Sequence, residues 1–366
     1  MGLKAVQAGE KAKEVRSKRY ETALNVVGLT KKLGLDFVII AGDTFEYYDV
    51  DEIVVKRTVD ILNKFSPIPV YILPGNHDPL IPGSIWDRKS WNQIGSHVHL
   101  ITEEKEINIF DDVVLYPCPI KQKRSSVDPT AWIPKREAND KRIRIGIAHG
   151  SLDILPESIN FPISKMRAEL TGLDYLALGD WHSFSQYERT IYSGTIEPTS
   201  FGETNAGNVI TVDIPAFGVL PKIEKHVCRT ITWAELTPDI HDITDVEHLE
   251  ETIKELGQLS SLVLRIDPIL SSCNDETAIG RLEDLRSELE DQALFLDWDF
   301  ETSTLSFSGS ASEIPEGILR RIDEALTDIL EGKIPPAPCH TYANQDPSVV
   351  QTARSLLRSF SQRGRV

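Results

Sequence analysis

The sequence predicts an α/β protein: a two-sheet sandwich flanked by helices, then a small α/β cap domain and a helical C-terminal tail. Three observations carry that prediction. Four apolar runs, Phe37 to Ala41, Val70 to Leu73, Ile143 to Ala148 and Asp174 to Leu178, have the length and near-continuous hydrophobicity of strands covered on both faces, and each ends in a potential ligand. Helix-like segments alternate with the early runs, whereas the runs between Thr190 and Cys228 follow one another as antiparallel ribbon does. At Thr237-Pro238-Asp239 the pattern resets and a second helix–strand alternation begins.

Residues 10 to 33 place Val15, Leu24, Val27 and other apolar side chains at helical spacing, and Gly34 closes the segment. Glu52 to Phe65 predicts a second helix, ended by Pro67-Ile68-Pro69 because proline cannot continue one. Further strands are expected at Val98 to Ile101, Val113 to Tyr116, Thr190 to Tyr192, Val209 to Ile214 and Lys222 to Cys228. This first domain spans residues 1–236. The cap, 237–312, reads as a helix from His248 to Leu256, a strand from Ser261 to Ile266, a helix from Thr277 to Leu289 and a strand from Ala293 to Phe300. The tail, 313–366, reads as a helix from Pro315 to Glu331, a stiff Pro335-Pro336-Ala337-Pro338 linker and an amphipathic helix from Pro347 to Ser361. That last helix either packs back on its own domain or docks onto a partner.

The strand endings carry the chemistry. They read Gly42-Asp43, Gly75-Asn76-His77-Asp78, His149-Gly150 and Gly179-Asp180-Trp181-His182. Any one could be a turn, since Gly, Asn and Asp favour turns. Four in order, at strand ends that share one edge of an α/β sheet, point to a site. Asp43 can present two oxygens to two cations roughly 3.5–4 Å apart, the spacing of two-metal phosphoryl-transfer centres. Asn76 supplies a neutral oxygen, His149 a nitrogen and Asp180 an anionic oxygen. His182, two residues beyond Asp180, shares its face on an extended segment. This mixed donor set suits Mn²⁺ better than a thiolate-seeking ion. His77 lies beside a ligand without having to be one, and Asp78 either orients His77 or caps the loop. Trp181 either walls the site or packs in the core. His97 and His99, two apart on a strand, fall outside the ordered set.

The order GD, GNHD, H-G and G-x-x-H resembles the calcineurin-like metallophosphoesterases. The wording IIAGDTF, YILPGNHD, GIAHG and DYLALGDWH, followed by Tyr192-Ser193-Gly194-Thr195 and Ser200-Phe201-Gly202-Glu203, is most similar to the SbcD-type DNA repair nucleases, over roughly residues 3 to 235. The resemblance implies metal-dependent hydrolysis of DNA phosphodiesters and a two-metal Mn²⁺ centre with ligands Asp43, Asn76, His149, Asp180 and His182. It gives His77 the task of stabilising the phosphate or protonating the leaving oxygen, for which a near-neutral imidazole is suited. It also implies a homodimer that works with an SbcC-type coiled-coil ATPase. Two departures matter. Such enzymes open with a strand ending in Asp-x-His, whereas this chain begins Met1-Gly2-Leu3 and has no Asp-x-His before Asp43. The expectation is that the first strand and part of the first metal site are missing, through a truncated or wrongly assigned start or through true loss. Asp180 stands where a histidine is more usual, a substitution a carboxylate can sustain. Two other readings follow: a stand-alone hydrolase of small phosphodiesters or monoesters, and a catalytically impaired assembly subunit.

Composition bounds the partners. The formal charge of −17 over 366 residues looks wrong for a DNA enzyme until it is divided along the chain. Residues 1–236 hold 28 basic and 31 acidic side chains, residues 237–332 hold 6 and 24, and residues 333–366 hold 5 and 1. The acidity therefore belongs to the one segment 237–332, which is unsuited to gripping phosphates. In the first, Lys121, Lys123, Arg124, Lys141, Arg142 and Arg144 surround a proline-containing insertion, and Lys121, Lys123, Arg124 and Arg142 are the candidate nucleic-acid contacts. The alternative for this stretch is a solvated loop. Cys118, Cys228, Cys273 and Cys339 are far apart and read as reduced cytosolic thiols. With no run of 18 apolar residues and no signal-like start, the expectation is a cytoplasmic protein without membrane contact.

Overall fold

The computed structural model describes residues 11–47, 49–154, 160–203, 205–270, 273, 275–298, 318–333, 349–350, 353–354 and 357. Contacts divide the chain into two compact units, Met1–Trp233 and Ala234–Val366.

The first unit opens with helix α1 (Ala12–Leu33), which ends where Gly34 turns left-handed at φ 62° and returns its N–H to Lys31 and Thr30. Strand β1 (Val38–Ala41), helix α2 (Glu52–Asn63), β2 (Val70–Leu73) and β3 (Val98–Leu100) follow. The strands form a parallel sheet in the order β1-β2-β3, and α2 supplies the crossover that two adjacent parallel strands need. Among the described residues β1 pairs only with β2; its four residues are half-buried, whereas all four of β2 are buried. Ala23, Val27, Val55 and Leu62 of the helices pack with Val70 and Ile72.

A second sheet takes in β4 (Ile107–Phe110), β5 (Val113–Pro117), β6 (Ile143–His149), β7 (Tyr175–Gly179), β8 (Ser185–Tyr187) and β9 (Thr190–Tyr192), ordered β4-β5-β6-β7-β9-β8. Its central strands are parallel, and the short helix α3 (Arg167–Thr171) lies in the chain between β6 and β7. Side chains alternate between its two faces as the strand period of two requires. Leu115, Ile145, Ile147, Tyr175 and Ala177 pack against Tyr71 and Leu73 of the first sheet. Val114, Tyr116, Ala148, Leu176 and Leu178 pack on the other side with Ala168 of α3. The result is the two-sheet sandwich flanked by helices. A hairpin of β10 (Asn208–Asp213) and β11 (Lys222–Val227) follows.

The second unit, Ala234–Val366, takes in both the expected cap and tail segments and is α/β. It contains α4 (Ile243–Leu256), β13 (Leu262–Ile266), α5 (Glu276–Gln292) and β14 (Phe295–Trp298), and its sheet, ordered β12-β13-β14, begins with β12 (Thr232–Leu236). Val246, Leu249, Leu264, Leu282 and Leu285 form its core. Helix α4 starts five residues before the expected His248 because Asp242 caps it, accepting from the Thr244 N–H at 2.8 Å. Helix α6 (Ile318–Leu330) lies within the expected tail segment. Nearby, Val350 is buried and Arg354 Nε lies 2.9 Å from Asp323 Oδ1 on α6, so this part of the tail packs back on its own unit. The Pro335–Pro338 linker, Cys339 and most of the last expected helix lie outside the described residues. Cys118, Cys228 and Cys273 are free thiols, and burial pushes Cys228 up to about 12. Among the described residues no helix is long and apolar enough to cross a membrane.

Candidate active site

β1, β2, β6 and β7 run in parallel and deliver Asp43, Asn76, His149 and Asp180 to one edge of the sandwich. There the four side chains meet. His149 Nε2 lies 3.1 Å from Asn76 Oδ1, 3.2 Å from Asp43 Oδ2 and 3.8 Å from Asp180 Oδ1. Its Nδ1 donates to the Ala41 carbonyl at 2.9 Å, which fixes the ring so that Nε2 faces the three oxygens. Local backbone makes the approach possible. Asp43 and Asp180 adopt φ of 51° and 105°, a conformation costing a non-glycine residue about 1–3 kcal/mol and concentrated at functional sites. Gly42 and Gly75 pack so closely that a Cβ on either would collide with His149 or Asp43.

Electrostatics bind the cluster together. Burial alone would depress His149, but Asp43 and then Asp180 outweigh it and raise the imidazole to about 9. Burial likewise opposes ionisation of Asp43, yet His149 and the His77 N–H hold it at about 2. The His77 N–H donates to Asp43 Oδ1 at 2.9 Å, and the Ser151 hydroxyl donates to Asp180 Oδ2 at 2.6 Å. Three oxygens from three strand ends thus face one imidazole nitrogen.

The donor set fits a divalent cation in kind: two carboxylates, one amide oxygen and one backbone-anchored imidazole. As they stand these donors touch one another, and among the described residues no group of three or more His, Cys, Asp or Glu is disposed to hold a metal ion. Loading the site would require His149 Nε2 to be free of a proton, because an imidazole binds metal as the neutral ring.

The other expected residues divide by what they touch. The His77 side chain is 42% exposed, and its Nδ1 donates to the Glu46 carbonyl at 2.8 Å, which leaves Nε2 as the nitrogen available to a substrate. Asp78 does not hold His77. It is fully buried and accepts from the Gly75 N–H at 2.6 Å and the Phe45 N–H at 3.0 Å, tying the β1 and β2 loops together. Burial first, and Asp43 second, raise this carboxyl to about 7. The geometry thus favours the loop-capping alternative for Asp78. His182 is held by Glu203, with Nδ1 and Oε1 2.7 Å apart. Trp181 is 44% exposed, so it is not a core residue. His99 stacks on Tyr71, with ring centroids 5.0 Å apart, and His97 lies 3.2 Å from the Leu62 carbonyl.

Of the four candidate nucleic-acid contacts, Lys123 and Arg124 line a cleft of about 830 Å³ that also contains Asn76 and His77. Lys121 is exposed nearby in sequence. Arg142 sits at the opposite end of β6 from His149, with Nε 3.0 Å from Asp140 Oδ1. Arg144, read as part of a basic or solvated stretch, is instead 1% exposed and bonded to the carbonyls of Thr171 and Pro134. Its place inside β6, where alternate residues face the core, was the available signal. Sequence reading missed Glu46, Ser151 and Glu203 as the groups that hold His77, Asp180 and His182. Glu203 had a visible cue in the Ser200-Phe201-Gly202-Glu203 wording; a backbone carbonyl such as that of Glu46 leaves none.

Residues 16–184 match the family model of the calcineurin-like phosphoesterases, a span that includes all four members of the cluster. No curated protein matches the chain.

Proposed function

We propose, starting from the calcineurin-like phosphoesterase domain in residues 16–184, that this protein is a divalent-metal-dependent DNA nuclease. The observation that carries the phosphoester chemistry is the convergence of Asp43, Asn76 and Asp180 on His149 Nε2 within 3.8 Å. What favours a polymeric phosphodiester is the adjoining cleft, in which Lys123 and Arg124 share a wall system with Asn76 and His77.

Asp43, Asn76, His149 and Asp180 would hold the metal, with His182 as a further ligand set by Glu203. A bound divalent ion supplies Lewis acidity toward the phosphoryl oxygens and lowers the pKa of a water nucleophile; Mn²⁺ matches the donor set. The chain's own groups do the rest. Asn76 contributes an oxygen without adding charge. Ser151 orients Asp180 by donating to Oδ2, and the Ala41 carbonyl keeps His149 in one tautomer. His77, anchored through Nδ1 and open to the cleft, is placed to give a proton to the departing oxygen. Partnership with an SbcC-like ATPase and homodimer formation belong to the same proposal and rest on the motif resemblance.

The test is hydrolysis by purified protein with Mn²⁺ of a labelled oligonucleotide, duplex ends, a small phosphodiester and a small phosphomonoester. The nuclease reading expects oligonucleotide or duplex-end cleavage to exceed turnover of both small substrates. Preference for the small substrates would transfer the site to a stand-alone phosphoesterase, and no hydrolysis of any would support the assembly-subunit reading.

A further inference from the structure

We infer that Tyr47 is a stacking platform for an unpaired nucleobase of a single-stranded substrate, with Lys123 and Arg124 contacting the backbone of the same strand. The inference rests on the nuclease reading above and narrows it to a substrate with a base beside the scissile phosphate.

Four observations carry it. Tyr47 is a large aromatic left 46% exposed, two residues beyond the buried Phe45 on the loop that leaves β1. Its ring stands edge-on to His77, with centroids 6.5 Å apart and planes inclined at 66°. Tyr47, His77, Asn76, Lys123 and Arg124 line one cleft, so an aromatic face, a proton donor and two cations address the same space. The cationic loop is anchored: Asn160 Oδ1 accepts from the Ser125 N–H at 3.0 Å, Asn160 Nδ2 donates to the Lys123 carbonyl at 3.2 Å, and the Phe161 N–H donates to the Ser125 carbonyl at 2.8 Å. An aromatic platform beside a cationic track is the arrangement by which proteins hold single strands with little sequence preference. The cleft also contains Glu46, whose carboxylate lies 3.7 Å from His77 Nδ1. That negative charge is unfavourable to a bare phosphate, so the flanking base has to supply part of the binding. A small phosphomonoester without a ring has no group for Tyr47 to engage.

The experiment measures fluorescence anisotropy of the full chain, under non-cleaving conditions, with a short single-stranded oligonucleotide and with an abasic strand of the same length. Tyr47→Ala should weaken binding of the base-bearing strand about tenfold and leave the abasic strand unchanged. Tyr47→Phe, which keeps the aromatic face, should bind both as wild type does. Lys123→Ala and Arg124→Ala should weaken both strands alike and reduce the salt dependence. Equal weakening of both strands by Tyr47→Ala, or none, overturns the inference while the nuclease reading stands. A wild-type protein that binds neither strand, and hydrolyses only small esters, overturns both.

Discussion

The two ends of β6 are both crowded with charge, and they use it in opposite ways. At the N-terminal end Arg144 and Asp174 are held by fixed partners. Arg144 donates to the carbonyls of Thr171 and Pro134 at 2.8 and 2.7 Å and stacks on Tyr116 at 4.5 Å. Asp174 accepts from Arg136, the Arg144 N–H and the Gly218 N–H at 2.5–2.8 Å. At the C-terminal end Asp43 and Asp180 approach one imidazole, and Asp78 lies close enough to Asp43 for its own ionisation to be opposed. Only there is an excess of oxygen donors held together against its own repulsion. Charge at a strand end signals chemistry when the fold leaves it under-compensated.

The largest expected effect separates the ends by function. His77→Ala should cut phosphodiester turnover by roughly 10²–10⁴-fold, the usual contribution of a general acid, while metal content stays near wild type. Loss of the metal in that variant would make His77 a ligand.

At the other end the expected effect is on stability. Arg144→Ala should destabilise the first unit by about 3 kcal/mol, because the buried Thr171 carbonyl and the partly buried Pro134 carbonyl lose their donor and the Tyr116 face loses its partner. Chemical denaturation followed by tyrosine and tryptophan fluorescence checks this, and the folded fraction should keep wild-type turnover. A stable but inactive variant would bring the N-terminal end into the mechanism.

A smaller effect tests the support of a ligand. Glu203→Ala removes the carboxylate beside His182 Nδ1 and should cost roughly 10–100-fold in metal affinity or activity, the range seen when a ligand loses its orienting partner. Retained affinity would show that His182 needs no such support. The smallest effect is expected at Arg142, which is paired with Asp140 away from the cleft: Arg142→Ala should change stability by no more than about 1 kcal/mol and leave oligonucleotide binding unchanged. A clear loss of binding would extend the substrate track around the sheet.

Much of this was legible in the sequence, and the reasons are physical. Apolar runs such as Val70 to Leu73 have the length and composition of covered strands, and four of them in order ending in potential ligands made it reasonable to expect Asp43, Asn76, His149 and Asp180 together. Gly34 and Pro67 marked helix ends because few residues can adopt or follow those conformations. What stayed hidden depends on partners remote in sequence. Arg142 and Arg144 look alike as text and at strand spacing would share a face, yet Arg144 lies inside β6 and is buried beneath Tyr116, whereas Arg142 precedes the strand and stays partly exposed. Glu46 acts on His77 through its carbonyl, which every residue has. Strands β4 and β8 are too short to show a period, and β12 belongs to the cap sheet although the composition shift comes only after it.

The central claim is that the strand-end donors form one divalent-cation site, and Mn²⁺ titration of the full chain tests it without recourse to turnover. Titration calorimetry of wild type, Asn76→Ala and Asp180→Ala, each checked for folding by circular dichroism, should show binding in the first and markedly weaker binding in both variants. Binding by both variants as tight as wild type, or no binding by the wild type, would contradict it.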